Sequence, residues 1–414
     1  MTKYTDPRWD YRDSDTKEYT HCFHNYPAMM IPQIARALIS KYGKNASLLF
    51  DPYCGTGTSL VEANLVGIDA IGTDLNPLAR LISRAKTNDV DLSEIARSIG
   101  DYNNHIFEFR MGIRKLPTDG FPDFDNIDYW FDPAIISHLS VVSDYISNIE
   151  NLQVKDFFLT AFSETVRESS WTRNSEFKLY RMSEKQLEKF NPDVFKLMET
   201  KLTRNHKGLV SYLNIKKNAS TMVCAFNTVD SIPEDVITAN SIDIVVTSPP
   251  YGDSRTTVAY GQFSRLSNQW LGIDKANHID KRLMGGIPNK ENVNFNISHL
   301  DDVLNRIREK DPKRVTDVTS FYVDYLKSIN NVASVVNHGG YVCYVVGNRR
   351  VKGEFIETDE ITKTMFENQG FKHIETIIRN IPNKRMPSRN CPTNQKGTTD
   401  STMTNEYIVV LKKL

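Results

Sequence analysis

Ser47-Leu48-Leu49-Phe50-Asp51-Pro52-Tyr53-Cys54-Gly55-Thr56-Gly57-Thr58-Ser59 is the stretch whose reading decides the fold. A short apolar run ends in an acid and a proline, a glycine pair follows, and Leu60 to Leu65 begins a helix. An apolar run bounded by turn residues reads as a buried strand, and glycines let the chain turn tightly and approach a ligand without a Cβ. Ile68 to Asp74 reads as the next strand and Leu78 to Thr87 as the next helix. Just upstream, Pro32 to Tyr42 is helical, with Ile34, Ala35, Leu38 and Ile39 on one face. Strand, turn, helix, strand is the opening of a parallel, doubly wound α/β sheet.

The same alternation resumes far downstream. Met222 to Phe226 and Ile242 to Thr247 read as strands, Phe321 to Val336 as a helix, and Gly340 to Val346 as another buried strand. Ile361 to Gln369 is helical, and His373 to Arg379 and Glu406 to Leu411 are the last strands. Residues 1–20 are polar and read as an arm or loop. Helical spacing and heavy charge mark 91–215 as a mostly helical insertion, and 252–320 reads as a polar, irregular second insertion. The remaining segments are 1–90, 216–251, which carries two strands, and 321–414, the C-terminal half of the sheet.

Apolar content of 40% and charged content of 25% are ordinary for a globular chain of 414 residues. No apolar stretch approaches the ~20 residues of a membrane span, and the N-terminus lacks a signal-peptide core. The five cysteines are dispersed without a Cys-x-x-Cys pair, which argues against zinc and a disulfide scaffold and favours a reducing cytoplasm. No metal is expected. Lys+Arg and Asp+Glu balance at 51 each, so any basic surface is local.

The glycine loop lacks the third glycine of a dinucleotide loop, and no Gly-Lys-Ser/Thr follows to hold phosphate. An acid before the glycines suits a ligand with an ammonium group. About twenty residues on, Asp74 ends the second strand, where an acid commonly grips ribose hydroxyls. Alone, the glycine pair also reads as a tight βα turn and Asp74 as a helix N-cap. Their joint placement on two strands fits S-adenosylmethionine better than a nicotinamide nucleotide.

Ser248-Pro249-Pro250-Tyr251 closes the strand ending at Thr247. Prolines lack N–H groups and fix the backbone, so turn carbonyls stay free and fixed in direction. With the flat tyrosine ring beside them they form a slot for a planar group bearing an NH2, such as a nucleobase turned out of a duplex.

The glycine loop together with Thr247-Ser248-Pro249-Pro250-Tyr251 resembles the amino-group DNA methyltransferases, which methylate cytosine N4 or adenine N6. Phe23-His24-Asn25-Tyr26-Pro27-Ala28 is similar to that family's N-terminal motif, and Val345-Val346-Gly347-Asn348-Arg349 and the closing strand to its later elements. The resemblance implies a doubly wound, mostly parallel sheet with a terminal antiparallel strand, S-adenosylmethionine as cofactor and double-stranded DNA as partner. It implies that Phe23, Asp51, Gly55, Thr56, Gly57, Thr58 and Asp74 line the cofactor pocket, with Asp230 near the adenine, although Asp230 also reads as a turn residue. Ser248, Pro249, Pro250 and Tyr251 would hold the target amine and base, and serine in the first position favours cytosine N4 over adenine N6. Cytosine C5 chemistry is disfavoured, since it needs a cysteine after proline and the adjacent pair here is reversed, Cys391-Pro392.

DNA contacts are expected from segments mixing aromatic and basic residues: Arg173, Lys178 and Arg181 in the first insertion, Arg255 and Tyr260 after the tetrapeptide, and Lys384 and Arg385 near the C-terminus. Each also reads as surface charge or, for Tyr260, a buried anchor. The length leaves no room for a fused nuclease, so a restriction partner would be a separate chain. Two other readings share these motifs: a tRNA guanosine-N2 methyltransferase, which usually carries an N-terminal RNA-binding domain, and an inactive DNA-binding module, against which the intact motifs argue.

Overall fold

The computed structural model describes residues 2–174, 176–253, 257–289, 291–381, 389–390, 400–401 and 404–414. The expected alternation is present: α1 follows β1 (Lys3–Thr5) over Pro32–Tyr42, then come β2 (Leu48–Asp51), α2 (Thr58–Val66), β3 (Asp69–Thr73) and α3 (Pro77–Thr87). Proline occupies the first turn of α1 and α3, where its missing N–H costs nothing. Asn76 caps α3 by accepting from the Leu78 N–H.

Among the described residues, six helices make up the first insertion: α4 (Leu92–Arg110), α5 (Ile127–Trp130), α6 (Pro133–Ser147), α7 (Leu152–Ser169), α8 (Glu184–Leu187) and α9 (Val194–Leu213). They build a core of their own around Phe157, Phe158, Phe162 and Tyr212, which meets the sheet layer through Val61 of α2 and Ala85 of α3. Strands β4 (Thr221–Cys224) and β5 (Ile242–Thr247) follow.

The region expected to be irregular, 252–320, contains α10 (Tyr260–Trp270), α11 (Ile279–Arg282), α12 (Ser298–Lys310) and the first turns of α13 (Pro312–Val335). Helix α10 hides from a periodicity argument because four of its seven buried residues are Gly261, Ser264, Ser267 and Asn268. Tertiary partners meet these side chains, as where Ser267 Oγ donates to the Ser163 carbonyl at 2.7 Å and Asn268 Nδ2 to Asn76 Oδ1 at 3.3 Å. In α12 the apolar spacing Leu300, Val303, Leu304, Ile307 is that of an amphipathic helix. The chain ends with β6 (Val336–Val346), a hairpin β7 (Arg349–Val351) and β8 (Glu354–Ile356), α14 (Thr358–Glu367), β9 (Phe371–Asn380), β10 (Arg389–Asn390), β11 (Asp400–Ser401) and β12 (Asn405–Lys413).

Eight strands form one sheet in the order β1-β9-β12-β6-β5-β2-β3-β4. All neighbours are parallel except those of β12, which runs against both β6 and β9. The N-terminal segment is therefore not a free arm: β1 extends the sheet beside β9, pairing Lys3 with Thr376. Alternation along the strands serves two faces. Leu49, Ile244, Val246, Cys343 and Ile408 pack with Ile34 and Leu38 of α1 and Leu60 of α2. Phe50, Val245, Val342, Tyr344 and Val409 pack with α13 and α14 through Ile329, Val332 and Met365. Burial on both faces explains the apolar runs Ile244–Val246 in β5 and Tyr341–Val346 in β6. Among the described residues no helix is long and apolar enough to cross a membrane.

Candidate active site

The loops after β2, β3, β4 and β5 meet at the carboxyl ends of the parallel strands, where open α/β sheets bind ligands. Gly55 (φ 50°) and Gly57 (φ 76°) shape the first loop. A Cβ on Gly55 would meet nothing within 4 Å, so that glycine opens toward the cleft. A Cβ on Gly57 would lie 2.3 Å from Ser83 Oγ, so this glycine lets α2 approach α3 and does not line the cleft. Thr56 and Thr58 do line it, and Thr56 Oγ1 donates to Met29 Sδ at 3.2 Å.

The two expected acids play different structural parts. Asp51 is buried with both oxygens engaged: Oδ1 accepts from Thr247 Oγ1 at 2.6 Å and Tyr53 N–H at 3.1 Å, and Oδ2 from Ser59 Oγ. Burial pushes its carboxyl up to about 6 against those three donors. Asp51 thus lines the floor of the cleft, as expected, while buckling β2, β5 and α2 together. Asp74 is partly exposed at the cleft wall, with Oδ2 accepting from Gly55 N–H at 3.1 Å and Oδ1 from Asn76 N–H at 2.7 Å. Two carboxylate oxygens offer about four acceptor sites, so Asp74 keeps capacity for hydroxyl donors.

The expected N-terminal motif reaches the cleft through residues other than the one singled out. Tyr26, Met29 and Met30 line the cleft, whereas Phe23, expected there, is wholly buried against Phe157 at a centroid distance of 5.8 Å. The apolar side of Phe23 serves the helical core, and the chain then turns Tyr26 inward. Asn76 ties this wall together, donating to Tyr26 Oη at 2.8 Å and Ser264 Oγ at 3.0 Å. Phe226, Asn227, Thr228 and Val229 line the opposite side, but Asp230 does not; its Oδ2 accepts from Asn227 Nδ2 at 3.1 Å as a turn residue. Leu283 and Met284 reach the cleft from the second insertion. Tyr26 lies within the quoted Phe23–Ala28 motif, and Asn76 left a trace as an N-cap residue before proline.

Ser248 and Pro250 line the cleft, and Pro249 is buried behind them. Ser248 Oγ lies 3.1 Å from the Val345 carbonyl and 3.3 Å from Tyr251 Oη. The Tyr251 hydroxyl donates to Glu406 Oε1 at 2.9 Å, and burial, then Glu406, pushes its pKa well above the ordinary value. With the Ser248 proton spent on the Val345 carbonyl, the lone pairs of Oγ are free to accept from an incoming N–H.

Tyr260, read as a DNA contact, instead stacks on Tyr26 with ring centroids 6.0 Å apart and forms part of the cleft wall. It begins α10, whose inner face is packed, and that fixes the ring toward the sheet. In the first insertion the Arg181 guanidinium is sandwiched between the rings of Tyr129 (4.7 Å) and Trp171 (4.8 Å), and Arg173 pairs with Glu176 at 3.5 Å. Lys178 is partly exposed on the same loop. Buried Arg167 joins that loop to α10, donating to the Glu176 and Phe263 carbonyls at 2.8 and 2.9 Å. Arg255, Lys384 and Arg385 lie outside the described residues. No cluster of His, Cys, Asp or Glu able to hold a metal occurs among the described residues.

The donor set fits S-adenosylmethionine: a carboxylate with spare acceptor sites, a glycine open to the cleft, and apolar walls from Phe226 and Val229 for a purine. Sheet order, reversed β12 and this cleft define the S-adenosylmethionine-dependent methyltransferase fold. Residues 17–99 match the family described as UPF0020, an RMKL-like methyltransferase domain. The chain is 41% identical to the type II methyltransferase M.MvaI of Kocuria varians, over 97% of this chain and 92% of that one. It is 21% identical to M.BsoBI of Geobacillus stearothermophilus over 86% of this chain and 79% of that one. A tRNA (guanine(10)-N2)-dimethyltransferase of Methanothermobacter thermautotrophicus shares 40% identity, over 12% of this chain and 16% of its own. The chain belongs to the type II, site-specific DNA methyltransferases.

Proposed function

We propose that this DNA methyltransferase methylates the exocyclic N4 of a cytosine rotated out of duplex DNA. The observation that carries the reading is Ser248 at the cleft edge, its Oγ beside the Val345 carbonyl and the Tyr251 hydroxyl. Bound S-adenosylmethionine supplies an electrophilic methyl group on a sulfonium. Asp74 would hold its ribose hydroxyls, Phe226 and Val229 its purine, and the Gly55 loop its amino-acid end.

An exocyclic amine is a poor nucleophile because its lone pair is delocalised into the ring. Ser248 Oγ and the proline-fixed carbonyl accept its protons, which favours a pyramidal nitrogen with its lone pair free for attack. The Tyr251 ring offers the stacking face for the base, and holding the amine in line with the methyl supplies much of the remaining acceleration. The 171–181 loop, with its stacked Arg181, and the helical insertion that bears it are the DNA-facing element of this reading, because Arg167 fastens the loop to α10 at the cleft wall. A separately encoded restriction endonuclease recognising the same sequence is the expected companion.

The deciding experiment is nucleoside mass spectrometry of duplex DNA incubated with the protein and labelled cofactor. N4-methylcytosine is the expected product. N6-methyladenine in its place overturns the choice of base.

A further inference from the structure

Behind the catalytic tetrapeptide runs a chain of polar groups that neither cofactor nor substrate needs to touch. Tyr251 donates to Glu406 Oε1 at 2.9 Å, and Glu406 Oε2 is ion-paired with Arg379 Nη1. Arg379 is 4% exposed, on β9, and its other donors end on the N-terminal segment. Nε donates to the Trp9 carbonyl at 2.8 Å and Nη2 to the Asp10 carbonyl at 3.3 Å. Asp10, 1% exposed, accepts in turn from the Asn380 N–H at 2.8 Å. Arg379 and Asp10 are buried and Tyr251 and Glu406 are partly so, and Glu406 stands at the start of β12, the strand that runs against its neighbours.

A phenol hydroxyl has one proton and a lone-pair side. With the proton committed to Glu406, the direction of the Tyr251 hydroxyl, and with it the lie of the ring, is set from the Glu406 side. A carboxylate left half-buried would be costly; Arg379 neutralises it, and the backbone carbonyls of Trp9 and Asp10 keep the guanidinium from turning away.

We propose that Glu406, oriented by Arg379 and the 9–10 backbone, is a positioning residue for Tyr251, so that the N-terminal segment helps set the geometry of methyl transfer. This rests on the assignment of Tyr251 to the target base. The test is a double-mutant cycle on the full chain, reading single-turnover methyl transfer to DNA, cofactor affinity by calorimetry and thermal midpoint. Total transfer is indifferent to which base receives the methyl, so the cycle is read separately from the choice of cytosine.

Glu406→Ala should slow transfer on the order of 10²-fold, as for misplacement of a reacting group, with cofactor affinity unchanged. In a Tyr251→Phe background, which has no hydroxyl to hold, the same substitution should cost no more than about two-fold further. Where Glu406→Ala does not fold, Glu406→Gln closes the cycle: it keeps an acceptor oxygen but loses the Arg379 ion pair. A rate loss that persists in full in the Tyr251→Phe background, or that follows the thermal midpoint alone, overturns the proposal.

Discussion

Ser248 and Asp74 illustrate how little of each side chain is left over for function. Ser248 has one proton and a carbonyl 3.1 Å away to receive it, so in the proposed function its contribution to an incoming amine would be acceptance. Ser248→Ala should therefore lower the methyl-transfer rate on the order of 10²-fold, with cofactor binding unchanged in calorimetry. Asp74 spends one contact of each oxygen on Gly55 and Asn76 and faces the cleft with the rest. Asp74→Ala should weaken cofactor binding by about 1.5–3 kcal/mol, the range for hydrogen bonds to a charged group, and raise the cofactor KM accordingly. Asp51, by contrast, lines the cleft with both oxygens engaged by Thr247, Ser59 and Tyr53, so replacing it should loosen the fold as well as change the cleft floor.

At the scale of elements, the turn from β2 to α2 separates two glycines that look equivalent in sequence. Gly57→Ala puts a Cβ 2.3 Å from Ser83 Oγ at a φ of 76°. It should cost roughly 1–3 kcal/mol of stability, measured by urea unfolding. Gly55→Ala meets no atom within 4 Å of its Cβ, so it should disturb the packing less and act chiefly on cofactor affinity. Equal effects of the two substitutions on stability would contradict this division. Helix α10 gives the complementary lesson. Its Gly, Ser and Asn face is buried only because Ser163 and Asn76 stand opposite, and no periodicity in the segment announces that.

For the whole molecule, acid is the exposed weakness. His21 and His24 are 4% and 2% exposed, and burial holds both near 4, below their ordinary 6.5. For His21 the charge of Lys86 acts in the same direction, while in both cases a glutamate opposes: Glu62 for His21, Glu164 for His24. A histidine whose folded pKa is depressed binds its proton first in the unfolded chain, so stability is full above 6.5 and drains as pH falls toward 4. Asp51, raised to about 6, works the other way, because the folded state takes up its proton first. Asp74, Asp280 and Asp324, also raised by burial, act with Asp51, while His105, His138, His206 and His373, lowered by burial, act with His21 and His24. Six histidines against four aspartates leave a net loss. The thermal midpoint should fall between pH 6.5 and 4, and less steeply in a His24→Asn variant. A flat profile over that interval would refute the burial argument.

The local code was sufficient where burial is two-sided or a turn demands one residue type. Ile242–Thr247, Pro32–Tyr42 and the Asp51–Thr58 loop all reveal themselves, because strand hydrophobicity, a first-turn proline and positive φ are properties of neighbouring residues. With Ser248 to Tyr251 they disclosed the class of chemistry as well. What only the tertiary structure decided is the set of partners that meet across sequence: Glu406 behind Tyr251, Asn76 between Tyr26 and Ser264, Phe23 turned away from the cleft and Tyr260 turned into it. These depend on which strand ends lie side by side and which helix covers them. That information is held by the topology of the sheet and by no single segment of the chain.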